Sequence, residues 1–221
     1  MFRFFIREKY TILLVMLFLN VIAAPFFSRA MSVELFLDVT FTMVMISAIF
    51  SISKGKKAPL AVSVLLMLPC LFFIWWIHFY TPIGNMRVVS ICLQALFVVY
   101  VSMLIVVSIF HASRVNRDVI SAAIVVYLFI SVFFYKIYLI LELTSPGSFT
   151  VSHAEILSKP GLLRYFSLVT LSTLGYGDIS PVTPEAQAIA SIEAIFGQIY
   201  LAVLVARLVS IFGATAPGKT E

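Results

Sequence analysis

Residues 170–178 read TLSTLGYGD, two glycines flanking a tyrosine between apolar runs, in a chain that is otherwise mostly apolar. Of 221 residues, 62% are hydrophobic and 11% charged, with a mean hydropathy of +1.10. A chain of that composition cannot hide its apolar surface in one water-soluble core. It belongs in a bilayer, and the glycine-rich interruption needs a reason to be there.

Apolar runs long enough to cross about 30 Å of hydrocarbon as helix occur at residues 10–27, 33–52, 58–80, 87–111, 119–143 and 185–212. The interruption lies between the last two, in a segment too broken to span. Short cytoplasmic loops collect Lys and Arg. With the N-terminus inside, Arg3, Arg7, Lys9, Lys54, Lys56, Lys57, Arg114, Arg117, Arg207 and Lys219 fall on the cytoplasmic side. Arg29, Arg87, Lys159 and Arg164 fall outside, and Lys136 lies within a run. Both termini are expected in the cytoplasm, with residues 144–184 facing outward. The first run, preceded by Arg3, Arg7 and Lys9 and followed by AAPFFSRA, reads either as a retained helix or as a cleaved signal.

The net charge of +5 sits in helix-flanking clusters and not on a soluble face, so it anchors helices and does not indicate nucleic acid. Cys70 and Cys92 both fall in apolar runs and read as small packing residues. No nucleophile, acid–base pair or metal-ligand set clusters at one mouth, so an enzyme is not expected.

Non-helical backbone survives at membrane depth only where protein or water satisfies it. Pro160 can open a helix at its first position, and residues 162–173 make an apolar helix about half the length needed to cross. It should enter, stop and return. In the returning TLGYGD, Gly175 and Gly177 can take positive φ, which lets successive carbonyls point the same way, and Thr173 adds a hydroxyl. Such a row of oxygens can replace a cation's water shell where several copies meet at an axis.

Thr173, Leu174, Gly175, Tyr176, Gly177 and Asp178 resemble the selectivity-filter signature of potassium channels, T-V-G-Y-G-D. The resemblance runs back through Thr170 and Ser172 and forward to Gly197, where that family often has its inner-helix hinge glycine. EAIFGQIYLAVLVARLV, residues 193–209, is similar to bacterial inner helices of this class. The resemblance implies a homotetramer with K⁺ as the permeant ion, held by the carbonyls of Thr173, Leu174, Gly175 and Tyr176 and the Thr173 hydroxyl. One chain supplies one such strand and cannot encircle an ion. Asp178 reads as a cation-attracting mouth residue, with Glu185, or as a hydrogen-bonding brace. Three departures stand out. Leu174 replaces valine or isoleucine, Tyr165 and Phe166 replace tryptophans that cuff the filter, and Val169 replaces a glutamate found behind the filter in some relatives.

A voltage sensor needs arginines at about every third residue of its fourth helix. Between Arg87 and Arg114 there are none, so Arg87, Arg114 and Arg117 read as interface anchors. The short connection HASRVNRD predicts that the four-helix module packs beside its own pore helices. Intramembrane charges are functional candidates. At about 1.5 Å per residue, Lys136 and Glu193 lie at matching depths, near 10 and 12 Å, which predicts an ion pair behind the filter; Asp38, near 8 Å, is the rival partner. Gly197 reads as a hinge or as a close-packing residue. Ala206 and Ser210, one turn apart, are expected to line the inner pore, with Arg207 beside them pointing to headgroups or a neighbouring subunit. His78, His111 and His153 read as boundary residues, His153 with Glu155 also as a candidate for external proton sensitivity. The tail GATAPGKTE is too short for a ligand-binding domain.

The expected architecture is an all-α integral membrane protein with six transmembrane helices plus a re-entrant pore helix and filter loop, assembled as a tetramer in a cell membrane. Residues 1–117 form a module without gating charges, 118–213 the pore domain and 214–221 a cytoplasmic tail. The expected activity is passive K⁺ conduction without cofactors. A weakly selective cation channel and a non-conducting accessory subunit of a heteromeric channel are the alternatives.

Overall fold

The computed structural model describes residues 9–22, 33–52, 57–80, 85–151 and 161–215. The expectations placed on Arg3, Arg7, Arg29, Lys54, Lys56, His153, Glu155, Lys159, Pro160 and the last six residues lie outside these. In chain order the elements are α1 Lys9–Ile22, α2 Val33–Ile52, α3 Lys57–Phe79, α4 Met86–Phe110, α5 Arg117–Thr144, β1 Phe149–Val151, α6 Leu162–Leu171, β2 Ile179–Pro181 and α7 Pro184–Thr215.

Helix ends follow local chemistry. Asn116, extended at φ −130°, accepts the Val119 N–H at 2.9 Å and caps α5, while Asp118 in its first turn suits the positive end of the dipole. Pro184 opens α7, where its missing N–H is not needed, and the Thr183 hydroxyl accepts from the Ala186 N–H at 3.3 Å.

Four helices, α3, α4, α5 and α7, are long and apolar enough to cross a membrane, whereas the stretches Lys9–Val21 and Leu35–Ser51 of α1 and α2 are shorter among the described residues. Polar ties fix α1 and α2 as an antiparallel pair along their whole length. At one end Lys9 Nζ donates to the Ser51 carbonyl at 2.7 Å and the Ser51 hydroxyl to the Lys9 carbonyl at 3.0 Å. At the other, Asn20 Nδ2 donates to Leu37 O at 3.1 Å and Thr40 Oγ1 at 2.8 Å.

Helices α1 and α4 both pack along α5, and α3 packs on α4. The first helices therefore lie beside the α5–α6–α7 unit of their own chain, as the short link between α4 and α5 predicts. The joint is polar at one level, where the Tyr10 N–H donates to Asp118 Oδ1 at 3.0 Å and Thr11 and Ser121 share a 3.1 Å hydrogen bond. Deeper in, Leu13, Leu17, Met45, Phe97, Val101 and Phe129 form one apolar core. A second cluster of Tyr138, Phe149, Leu163, Phe166, Ile179 and Ala186 surrounds α6.

Strand pairing was not expected from the sequence. β1 and β2 form an antiparallel ribbon with Phe149 opposite Pro181 and Val151 opposite Ile179, so the chain entering α6 is joined to the chain leaving Asp178.

Candidate functional site

Helix α6 is ten residues long and ends at Leu171, two residues short of the expected 162–173 span. It packs on both α5 and α7, burying Leu163, Phe166, Ser167, Val169 and Leu171. Its last carbonyls are reused by the chain that returns. Thr173 N–H donates to Thr170 O at 3.0 Å, Leu174 N–H to Val169 O at 3.0 Å, and Gly175 N–H reaches the same Val169 oxygen at 3.5 Å. Val169 and Thr170 thus support the returning segment through backbone oxygens.

Positive φ recurs at every second residue, 59° at Thr173, 57° at Gly175 and 78° at Gly177. The N–H groups of residues 173–175 are turned back onto α6, and alternation of this kind lets successive carbonyls point to one side. A Cβ added at Gly175 or Gly177 would meet nothing within 4 Å, so glycine is required there by backbone conformation and not by crowding. Thr173, β-branched, holds a conformation that costs about 1–3 kcal/mol. Residues 172–178 are all exposed, with Leu174 at 60% and Tyr176 at 67%.

Behind this segment lies a buried polar cluster. Glu193 of α7 is 0% exposed and accepts from the Ser167 hydroxyl at 2.5 Å and from the Tyr138 hydroxyl. Ser167 is also within 2.8 Å of Ser131 O and 3.0 Å of Ser131 Oγ. The ring of Phe166 packs 5.1 Å from Tyr138 and 5.4 Å from Phe149, so aromatics do surround α6 without tryptophan. Tyr165, on the exposed side, lies close to the Asp178 carboxylate.

The expected Lys136–Glu193 pair does not form. Lys136, 7% exposed, donates to Gln94 Oε1 of α4 at 2.6 Å, and its Nζ lies 5.0 Å from the rings of Phe41 and Tyr135. Matching depth did not supply matching direction, because Lys136 faces the first helices and Glu193 faces α6. Asp38, the rival partner, acts on Lys136 through its charge, and its carboxylate lies 3.6 Å from His78 Nδ1.

Gly197 sits in the unbroken α7, and a Cβ there would press into the Leu171 carbonyl oxygen and lie 3.0 Å from Leu171 Cδ1. Tyr127 donates to that same carbonyl at 3.3 Å. The next residue, Gln198, brings its Nε2 to 3.5 Å from Thr173 Oγ1. Ala206 and Ser210 are exposed at the far end of α7 and are not brought to the 173–178 segment. Arg207 donates to the carbonyls of Phe110 at 2.6 Å and Ala112 at 3.2 Å, at and just beyond the end of α4.

Two residues escaped the sequence reading. Arg164, assigned to a loop-side charge, is 4% exposed and donates to the backbone and side-chain oxygens of Asn20 at 2.6 and 2.7 Å. Gln94 is the acceptor for Lys136. The available signal was an amide within an apolar run, at Asn20 and again at Gln94, since such a group in a bilayer needs a partner.

No curated protein and no solved structure gives a match to the chain. Residues 122–214 match the family model described as an ion channel, a span that begins in α5, takes in α6 and the TLGYGD segment, and ends in α7, so that this part of the chain carries an ion-channel domain.

Proposed function

We propose that the chain is one subunit of a homotetrameric potassium channel that conducts K⁺ passively across a cell membrane, with both termini cytoplasmic. One observation carries the reading: the alternating positive φ of Thr173, Gly175 and Gly177, with the N–H groups of Leu174 and Gly175 folded back onto Val169 O. Four such strands facing an axis would offer rings of carbonyls from Thr173, Leu174, Gly175 and Tyr176 in place of the ion's hydration shell. The negative end of the α6 dipole, close to Thr173, favours a cation there.

The surface supports assembly. Ile195, Ile199 and Val203 of α7 are exposed along a helix of which α5 and α6 cover one side, and large contiguous apolar patches mark protein or lipid contacts. In this reading α1 and α2 also cross the membrane, since α1 runs from the Asp118 end of α5 to the Arg164 end of α6. Residues 1–117 then form a module without gating charges, 118–213 the pore domain and 214–221 a tail. Arg87 is the sole basic residue of α4, so voltage dependence through that helix is not expected.

Reversal potentials of purified protein in bilayers, under opposed K⁺ and Na⁺ gradients, test the reading. A potential close to the K⁺ equilibrium value supports it. One near zero replaces it with a weakly selective pore, and protein silent under all conditions favours the accessory-subunit alternative.

A further inference from the structure

Where the first helices meet α6, a cavity of 280 Å³ is lined by Asp38 of α2, His78 of α3, Arg87 and Gln94 of α4, Lys136 of α5 and Arg164 of α6. We propose that this cavity binds one phosphate-type oxyanion, bridging Lys136 and Arg164.

Charge is the first reason. Three cationic side chains face a single carboxylate, Asp38, which lies 3.6 Å from His78 Nδ1. Two of the cations are buried among apolar helices, Lys136 at 7% and Arg164 at 4% exposure. Their hydrogen bonds among the described residues go to neutral oxygens: Gln94 Oε1 for Lys136, and the Asn20 carbonyl and amide oxygens for Arg164. Buried cations whose hydrogen bonds go to dipoles, with the faces of Tyr135 and Phe41 and a single lining carboxylate, Asp38, beside them, are costly, and an anion in the cavity offsets that cost.

The second reason is an open valence. Arg164 Nε is buried and has no hydrogen-bond partner among the described residues. A guanidinium with an edge nitrogen unused, set near an ammonium on another helix, suits a group with several acceptor oxygens at fixed angles better than a halide. Arg87, exposed at the start of α4, supplies a cation at the cavity's rim. The occupant would touch both the first helices and the start of α6. The same chemistry is offered by the headgroup of an acidic phospholipid and by free phosphate.

The test uses the full chain purified in neutral detergent, with thermal unfolding followed through Trp75 and Trp76. In one arm inorganic phosphate replaces chloride at constant ionic strength. In the other phosphatidylglycerol is titrated against phosphatidylcholine. A saturable rise in Tm is expected in at least one arm, with half-saturation weakened about tenfold in Arg87→Gln and again in Lys136→Gln, the loss of one charge-assisted hydrogen bond each. A response to phosphate identifies a soluble anion, and a response to phosphatidylglycerol alone identifies a lipid headgroup. No rise in either arm, or equal half-saturation in wild type and Arg87→Gln, overturns the proposal; Arg87 is exposed, so that variant is expected to fold.

Discussion

Glu193 on α7 and Ser167 on α6 meet at 2.5 Å in a fully buried site, so the carboxyl backing the TLGYGD segment comes from the last helix and not from α6. The Ser167 hydroxyl carries one hydrogen, and Ser131 O and Glu193 Oε1 both lie within its reach. A group at 193 that can donate to Ser167 while accepting from Tyr138 satisfies the whole cluster. Glu193→Gln is therefore expected to fold with nearly unchanged stability. Glu193→Ala leaves the buried Tyr138 hydroxyl without its acceptor, while Ser167 keeps Ser131 O, and is expected to lose about 1–3 kcal/mol. Denaturant unfolding in detergent checks both, and equal losses for the two variants would contradict the cluster.

Gly197→Ala separates packing from hinge. Alanine in an unobstructed helix stabilises by about 1 kcal/mol relative to glycine. Here its Cβ would press into the Leu171 carbonyl oxygen, and overpacking of that kind costs about 1–3 kcal/mol. A lowered Tm is the expected result. A raised Tm together with altered opening in bilayer recordings would instead mark a hinge.

Gly175→Ala and Gly177→Ala meet no steric obstacle, so their effect isolates backbone conformation. Holding alanine at positive φ costs about 1–2 kcal/mol per residue. In the proposed tetramer that penalty occurs once in each subunit around the same axis. Loss of K⁺ over Na⁺ discrimination is expected, with the assembly still eluting at wild-type size in gel filtration. Retained selectivity in both variants would show that the carbonyl row does not depend on these φ angles.

A double-mutant cycle tests the partner of Lys136. Lys136→Met and Gln94→Leu should show a coupling of about 1.5–3 kcal/mol, the range for a hydrogen bond to a charged group. Lys136→Met and Glu193→Gln should be additive within about 0.5 kcal/mol. Urea unfolding of the three single variants, the two double variants and the wild type supplies the numbers.

The course of the chain through TLGYGD was legible because its causes are local: an apolar helix too short to cross, and glycines at alternate positions. Direction around a helix was not legible from depth. Lys136 and Tyr138 are two residues apart on α5, about 200° around the helix, so once Tyr138 faces Glu193, Lys136 must face away. The β1–β2 ribbon left no readable trace either, because each strand is three residues long and its partner lies about thirty positions away. Arg164 illustrates the limit of charge counting, since loop-flanking position alone does not distinguish a solvated arginine from one turned inward to Asn20.

Arg207, in the last third of α7, fastens that helix to the closing carbonyl of α4, Phe110, and to that of Ala112 just beyond it. The Phe110 carbonyl sits at the negative end of the α4 dipole, where a guanidinium is most favourably held. The two helix ends behave as a strut and its anchor. Helix α7 cannot splay outward at that end without drawing α4 along or breaking two charge-assisted hydrogen bonds, so a displacement of α4 is transmitted to the far end of α7 directly, without passing through the six residues that link α4 to α5.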